Sequence, residues 1–379
     1  MKKKIGTIFI LTMLLLTNIA FADDIDPDTE PTYAEIMQDD AGAWNSAALD
    51  KPTIQSRSAV IFDRNSKQII WGKQENLRVP MASTTKIMTA IILLESGKNL
   101  DETVTVDKKA ASIGGSRLGL AAGDKITLND LLYGLMLPSG NDAAVQIAIT
   151  VGGSVQGFAD MMNAKAKELG LKDTHFVTPH GLDNPEHYTT AYELALITDY
   201  ALNIAKFREV VDTQTYTVAI NGYPTQINNT NELLGHLDGV EGVKTGFTNN
   251  ALRCLVTYDT RNNFNIITVV LGADTKKIRT EDSIDLIEYT YANYEPVDIK
   301  DMAAKEFADW QNINEKRINI NKGVKDYPEL MLSNEEYTVY PVNKNEIKDI
   351  NIEISSKWRI RSSCAEKSSN WKYAGKNWR

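Results

Sequence analysis

From Ser58 onward, the alternation of apolar and polar positions places the elements. Ala59-Val60-Ile61-Phe62 and Gln68-Ile69-Ile70-Trp71 are short apolar runs, and Asp63-Arg64-Asn65-Ser66-Lys67 lies between them. That pattern predicts a β-hairpin. After Pro80, the residues Ile87, Ala90, Ile91 and Leu94 recur at the helical period. Met88, Ile92 and Leu93 extend the apolar surface around the rod, so this helix is expected to be buried on nearly every side, with Gly97 stopping it. Residues 128–149 read as a second, mostly apolar helical region, broken at Pro138-Ser139-Gly140-Asn141. Residues 158–169 form an amphipathic pattern closed by Gly170, and residues 190–205 another. Residues 240–271 alternate glycine turns with β-type runs such as Ile266-Ile267-Thr268-Val269-Val270-Leu271. Helices in the middle and strands at both ends predict an α+β fold, an antiparallel sheet flanked by helices and completed by both ends of the segment.

The termini read differently. Lys2, Lys3 and Lys4 precede an apolar run, and Ala20-Phe21-Ala22 is a small-x-small cleavage site, so residues 1–22 are expected to be an export signal removed after Ala22. The run is shorter than the roughly 20 residues that span a bilayer. Residues 23–51, rich in Asp, Pro and small side chains, read as a loose leader, and residues 52–295 as the main domain. Glu336-Tyr337-Thr338-Val339-Tyr340 and Asn351-Ile352-Glu353-Ile354 alternate like half-exposed strands, so residues 296–356 are expected to form a small β-rich domain. Residues 357–379 are basic and carry Trp358, Trp371 and Trp378; a membrane-surface tail and a frayed end fit this composition equally well.

Composition narrows the classes. Lys+Arg is 41 against 50 Asp+Glu, a net charge of −9, which argues against a nucleic-acid binder. Two cysteines, Cys254 and Cys364, are too few for a disulfide scaffold and too far apart for a metal-binding pair. An exported protein permits a Cys254–Cys364 bridge without requiring one; Cys254 sits in Ala251-Leu252-Arg253-Cys254-Leu255-Val256-Thr257, a core-strand pattern, and is expected as a buried thiol.

Three short motifs carry the chemistry. Ser83-Thr84-Thr85-Lys86 stands at the start of the buried helix, where backbone N–H groups lack partners and the dipole favours negative charge. A serine hydroxyl needs a base beside it, and Lys86 is one helical turn on. A lysine acts as a base when neutral, a state favoured by burial and by a second cation, for which Lys244 is the candidate. Ser139-Gly140-Asn141 sits at the helix break and can aim into a cleft: Ser139 to carry a proton to a leaving amine, Asn141 to hydrogen-bond the substrate. Plain helix capping is the alternative. Lys244-Thr245-Gly246 opens an apparent edge strand, onto which an extended peptide can pair. The N–H of Phe247 is positioned to join that of Ser83 as an oxyanion hole.

With these residues in their surroundings (Pro80-Met81-Ala82-Ser83-Thr84-Thr85-Lys86, Pro138-Ser139-Gly140-Asn141-Asp142-Ala143-Ala144 and Gly242-Val243-Lys244-Thr245-Gly246-Phe247-Thr248), the chain resembles the serine D-alanyl-D-alanine carboxypeptidases, low-molecular-mass penicillin-binding proteins, over residues 58–279. The resemblance implies the penicillin-binding transpeptidase/β-lactamase-like fold. It implies Ser83 as acyl-ester nucleophile, Lys86 as base and Ser139 as proton relay. Lys244 and Thr245 would hold the substrate's terminal region, and Arg279 its carboxylate. The implied partners are peptidoglycan stem peptides ending in D-Ala-D-Ala, with β-lactams as covalent inhibitors, in an extracytoplasmic location, with no cofactor or metal. The amphipathic C-terminal helix usual in the family does not appear after Ser355, which leaves membrane association open.

His175, His180 and His187 do not share a helix face, and structural roles are expected for them rather than metal ligation. Two rival functions remain. A serine β-lactamase would need a deacylating glutamate on a loop, whereas Glu168 lies in a helical pattern. A non-turnover β-lactam sensor or cell-wall binding module would be acylated once and stop.

Overall fold

The computed structural model describes residues 51–314, 338–350 and 352. In chain order its elements are β1 (Ser58–Asp63), β2 (Gln68–Lys73), α1 (Lys86–Glu95), β3 (Thr103–Thr105), α2 (Lys108–Ala111), β4 (Lys125–Thr127), α3 (Leu128–Met136), α4 (Asn141–Gly152), α5 (Val155–Glu168), α6 (Ala191–Ala201), α7 (Ala205–Val211), β5 (Thr215–Ile220), β6 (Tyr223–Asn228), β7 (Val240–Thr248), β8 (Leu252–Arg261), β9 (Phe264–Ala273), α8 (Lys276–Asn293), β10 (Tyr294–Asp298), α9 (Ile299–Asn314) and β11 (Val339–Asn343). The main sheet runs β2-β1-β9-β8-β7, every pair antiparallel. β1 pairs with β9, some two hundred residues later, as expected of a sheet closed by both ends, and β7 lies at the edge.

Strand alternation sorts the apolar side chains onto two faces. Val60, Phe62, Val256, Ile267 and Val269 join the large core around the helices, while Ala59, Ile61 and Val270 pack with Leu286 and Tyr289 of α8 on the other face. The sheet is thus a middle layer between a helical lobe and α8. At the centre of the lobe, α1 packs against α3, α4, α5, α6 and α7. Its residues Lys86 through Leu93 are all buried, which explains why its sequence is apolar on every side.

The helix starts follow local chemistry. The hydroxyls of Thr127, Ser154, Thr190 and Thr275 accept the N–H of Asp130, Gly157, Glu193 and Ile278, respectively, each satisfying a donor the helix cannot. Pro138 bars continuation of α3, Ser139 takes a left-handed conformation at φ 62°, and α4 begins at Asn141. The pattern over residues 190–205 resolves into two helices, because the N–H of Leu202 closes α6 on Thr198 and Tyr200 and the chain turns before α7.

Beyond α8, β10 pairs with β11, but the 16-residue helix α9 stands between them among the described residues, where a β-rich pattern was expected. The apolar side of α9, including the buried Ala303 and Phe307, accounts for that helix. Residues 1–50 of the signal and leader, Glu336, Tyr337, the strand pattern at 351–354 except Ile352, Cys364 and the tail at 357–379 lie outside the described residues. Cys254 is buried in β8, as its strand pattern implied. Among the described residues, no helix is long and apolar enough to cross a membrane.

Candidate active site

The chain reaches α1 through a 3-10 turn, Ala82–Thr85, rather than entering the α-helix directly. Ala82 adopts φ 47°, a left-handed conformation that is unfavourable for a residue with a Cβ. Hydroxyls brace the turn from within: Thr84 donates to the Met81 carbonyl at 2.6 Å and Thr85 to the Ala82 carbonyl at 2.7 Å. Ser83 is the half-exposed residue of this turn; its neighbours are buried.

One helical turn on, Lys86 is fully buried. Its Nζ lies 2.7 Å from Ser83 Oγ, 2.7 Å from Asn141 Oδ1 and 3.0 Å from the His180 carbonyl oxygen. Three acceptors match the three hydrogens of an ammonium. A neutral amine has two hydrogens and a lone pair, and that lone pair can take the Ser83 hydroxyl hydrogen. The arrangement therefore holds the Lys86 amine on the Ser83 hydroxyl in either state, with the Asn141 amide and the His180 carbonyl as guides. Asn141 Nδ2 donates to the Gly114 carbonyl at 2.8 Å. Its side chain thus spans Lys86 and the loop at Gly114.

That loop is latched by Asp142. Its carboxylate accepts the backbone N–H groups of Leu118, Gly119, Leu120 and Ala143 at 2.8–2.9 Å. Charge-assisted bonds of this kind are strong, and they fix the start of α4 beside the Ser139 turn. Ser139 is fully buried, and its Oγ has no hydrogen-bond partner among the described residues.

β7 closes the third side. A Cβ placed on Gly246 would stand 3.0 Å from Ser83 N and 3.2 Å from Thr84 N, a tight approach, so glycine lets the strand lie close to the Ser83 turn without displacing it. Lys244 and Thr245 are buried; Lys244 Nζ donates to the Thr245 carbonyl, and the Thr245 hydroxyl bonds that of Thr230 at 2.6 Å. Phe247 is half-buried under the Arg253 guanidinium, 4.7 Å from its ring centroid. Arg279 is buried on α8, 3.9 Å from Glu232, and its Nε has no hydrogen-bond partner among the described residues. The three motifs thus converge, with Arg279 joined to the Thr230 segment through Glu232.

The sequence reading missed the segment at 177–188. Thr89 donates to the Pro179 carbonyl at 2.6 Å, Lys86 to that of His180, and Gly181 (φ 90°) lies against Ala82. The turn-forming run Pro179-His180-Gly181 was the available signal, but a backbone carbonyl leaves no side-chain signature. Burial holds His180 and His187 far below the ordinary histidine range, each at about 3, with Lys86 adding to the effect on His180 and His175 to that on His187. Both are neutral at any physiological pH. Beside the turn opens a cavity of about 400 Å³, lined by Arg78, Pro80, Asp183, Asn184, Tyr188 and Asn250, among others. Glu168, at the end of α5, pairs with Lys165 at the surface.

Comparison with known proteins places the chain in a family. The sequence model of the D-alanyl-D-alanine carboxypeptidase family matches residues 45–275. The D-alanyl-D-alanine carboxypeptidase DacF of Bacillus subtilis is 32% identical over 311 residues, covering 81% of this chain and 77% of that protein. A Streptomyces D-alanyl-D-alanine carboxypeptidase is 36% identical over 268 residues, covering 66% of this chain and 92% of that one. Among solved structures, a Streptomyces DD-transpeptidase superposes with TM-score 0.62 at 35% identity over 64% of this chain and all of its own.

Proposed function

This chain belongs to the D-alanyl-D-alanine carboxypeptidase family, and from that premise we propose that it removes the terminal D-Ala from peptidoglycan stem peptides by acyl transfer through Ser83. The observation that carries the reading is the 2.7 Å contact between Lys86 Nζ and Ser83 Oγ, in a buried turn closed by an edge strand.

Ser83 Oγ attacks the carbonyl carbon of the penultimate D-Ala while neutral Lys86 takes the hydroxyl proton. The N–H groups of Ser83 and Phe247 stabilise the tetrahedral oxyanion. The C–N bond then breaks, Ser139 relays a proton to the departing D-Ala amine, and an ester on Ser83 remains. Water hydrolyses that ester, returning the hydrogen to Ser83 and releasing the shortened peptide as its carboxylate. Lys244, Thr245 and Arg279 hold the substrate's terminal carboxylate region, and Asn141 acts by guiding Lys86. Two orphaned buried atoms, Ser139 Oγ and Arg279 Nε, support these roles, since a buried polar group calls for a partner that a substrate can supply. β-Lactams are expected to acylate the same serine, and the pattern of residues 1–22 supports export to the cell envelope.

The test is intact-protein mass spectrometry with penicillin, beside an assay for D-Ala release from a D-Ala-D-Ala peptide. One penicillin mass on Ser83, lost in Ser83→Ala, with repeated turnover of the peptide, supports the reading. Labelling that survives in Ser83→Ala refutes it, and acylation without D-Ala release turns it toward a sensor.

A further inference from the structure

A hydrogen-bond relay runs from the segment after α5 to the peptide unit that precedes the nucleophile. The backbone N–H of Val177 donates to His187 Nδ1 at 2.9 Å, which makes Nδ1 an acceptor. A neutral imidazole then carries its hydrogen on Nε2. Nε2 lies 2.7 Å from Thr85 Oγ1, and Thr85 donates its own hydrogen to the Ala82 carbonyl at 2.7 Å. The Thr85 hydroxyl therefore receives from His187 and gives to Ala82. The His187 ring is buried, and the Phe176 ring meets it edge-on at 5.8 Å, so it has little freedom to turn.

The end of this relay matters because a trans peptide is rigid. The Ala82 C=O and the Ser83 N–H share one plane and point in opposite directions. A group that fixes where the carbonyl points also fixes where the N–H points. Ala82 sits in the left-handed region, which is unfavourable for a residue with a Cβ, so this peptide needs outside support to keep its orientation. Ser83 N faces β7, within 3.0 Å of where a Gly246 Cβ would stand.

We propose that His187 is a positioning residue which, through Thr85, locks the Ala82–Ser83 peptide and so aims the Ser83 N–H at the developing oxyanion. The inference rests on the assignment of Ser83 as nucleophile and its N–H as an oxyanion donor. The role is static: His187 neither gives nor takes a proton in the reaction. Misaiming one donor lowers transition-state stabilisation while leaving ground-state binding nearly unchanged.

The experiment measures acylation by a fluorescent penicillin, and kcat and KM with a D-Ala-D-Ala peptide, in His187→Ala, Thr85→Val, the double variant and His187→Gln, each with a thermal melt. His187→Ala and Thr85→Val are each expected to slow acylation and lower kcat by roughly 10- to 100-fold, with KM within about 3-fold. The double variant is expected to be no slower than the slower single, because both break one relay. His187→Gln carries both an acceptor and a donor and is expected to recover most of the rate. Wild-type acylation in His187→Ala, fully multiplicative losses in the double variant, or a His187→Gln protein as slow as His187→Ala would overturn the proposal. Should His187→Ala fail to fold, Thr85→Val against Thr85→Ser, which keeps the hydroxyl, decides the same question: equal rates overturn it. Ser83→Ala run alongside separates this failure from that of the underlying mechanism, since labelling that persists there discards the nucleophile itself.

Discussion

Gly181 lies so close to Ala82 that a Cβ on it would stand 1.9 Å from the Ala82 carbonyl oxygen and 2.7 Å from Thr85 Oγ1. The obstruction on one side is backbone, which cannot swing away as a flexible side-chain end can. Gly181→Ala must therefore displace either its own loop or the nucleophile turn. Its φ of 90° adds strain. Acylation is expected to fall by at least about 100-fold, within the range for loss of an oxyanion donor. Gly170→Ala is the control: its φ is 76° but nothing stands within 4 Å of the added Cβ, so roughly 1 kcal/mol of stability is expected to go while acylation stays. Stopped-flow penicillin binding and thermal melts compare the two; equal acylation rates would count against the close contact.

Lys86→Met keeps the volume of a fully buried side chain but removes the amine. Acylation is expected to drop by about two to four orders of magnitude, the usual worth of a general base. The Asn141 and His180 oxygens also lose their donor, so stability is expected to fall by roughly 1–3 kcal/mol for each acceptor left unpaired. Far-UV circular dichroism with penicillin labelling distinguishes a folded, slow enzyme from an unfolded one.

Asp142→Ala removes an acceptor of four backbone N–H groups. Even at the lower end of about 1.5–3 kcal/mol per charged hydrogen bond, partial re-solvation leaves a loss of at least about 3 kcal/mol. Amide exchange is expected to rise first at Leu118, Gly119 and Leu120, because these lose their acceptor directly. Unchanged protection there would contradict the latch.

Asp259 gives a pH signature of its own. Burial raises its carboxyl from the ordinary value to about 6, with Arg261 at 3.3 Å only partly offsetting the effect. A carboxyl raised in the folded state contributes full stability below its unfolded value near 3.8. That contribution is lost as pH rises toward 6 and stays lost above it. Asp259→Asn cannot ionise, so it is expected to match the wild type below about pH 4 and exceed it by roughly 2–3 kcal/mol at pH 7. Urea melts at the two pH values check the sign; an Asn variant that is less stable at pH 7 would reverse the assignment.

Much of this was legible along the chain. The all-round apolar pattern of residues 87–94 announced a central helix, because a helix without a polar face must be surrounded. The break at Pro138 and the edge position of Lys244-Thr245-Gly246 followed from backbone chemistry and strand pattern. The spacing of Ser83 and Lys86 put the amine on the hydroxyl, since three residues along a helix is one turn. The helix α9 was not legible in the same way, and the pattern over 190–205 did not reveal its turn.

What the linear order determined by itself were the elements and the local pairings, because dihedral preferences and short-range periodicity act within a few residues. Only the tertiary structure decided what surrounds them. The His180 carbonyl on Lys86, Gly181 against Ala82 and His187 on Thr85 join residues about a hundred positions apart. The Asn141 amide oxygen meets the Lys86 amine across 55 positions of sequence. Such contacts form when packing presses two distant backbones together. Several are made by main-chain atoms, which every residue carries alike, so no choice of side chain marks them in advance.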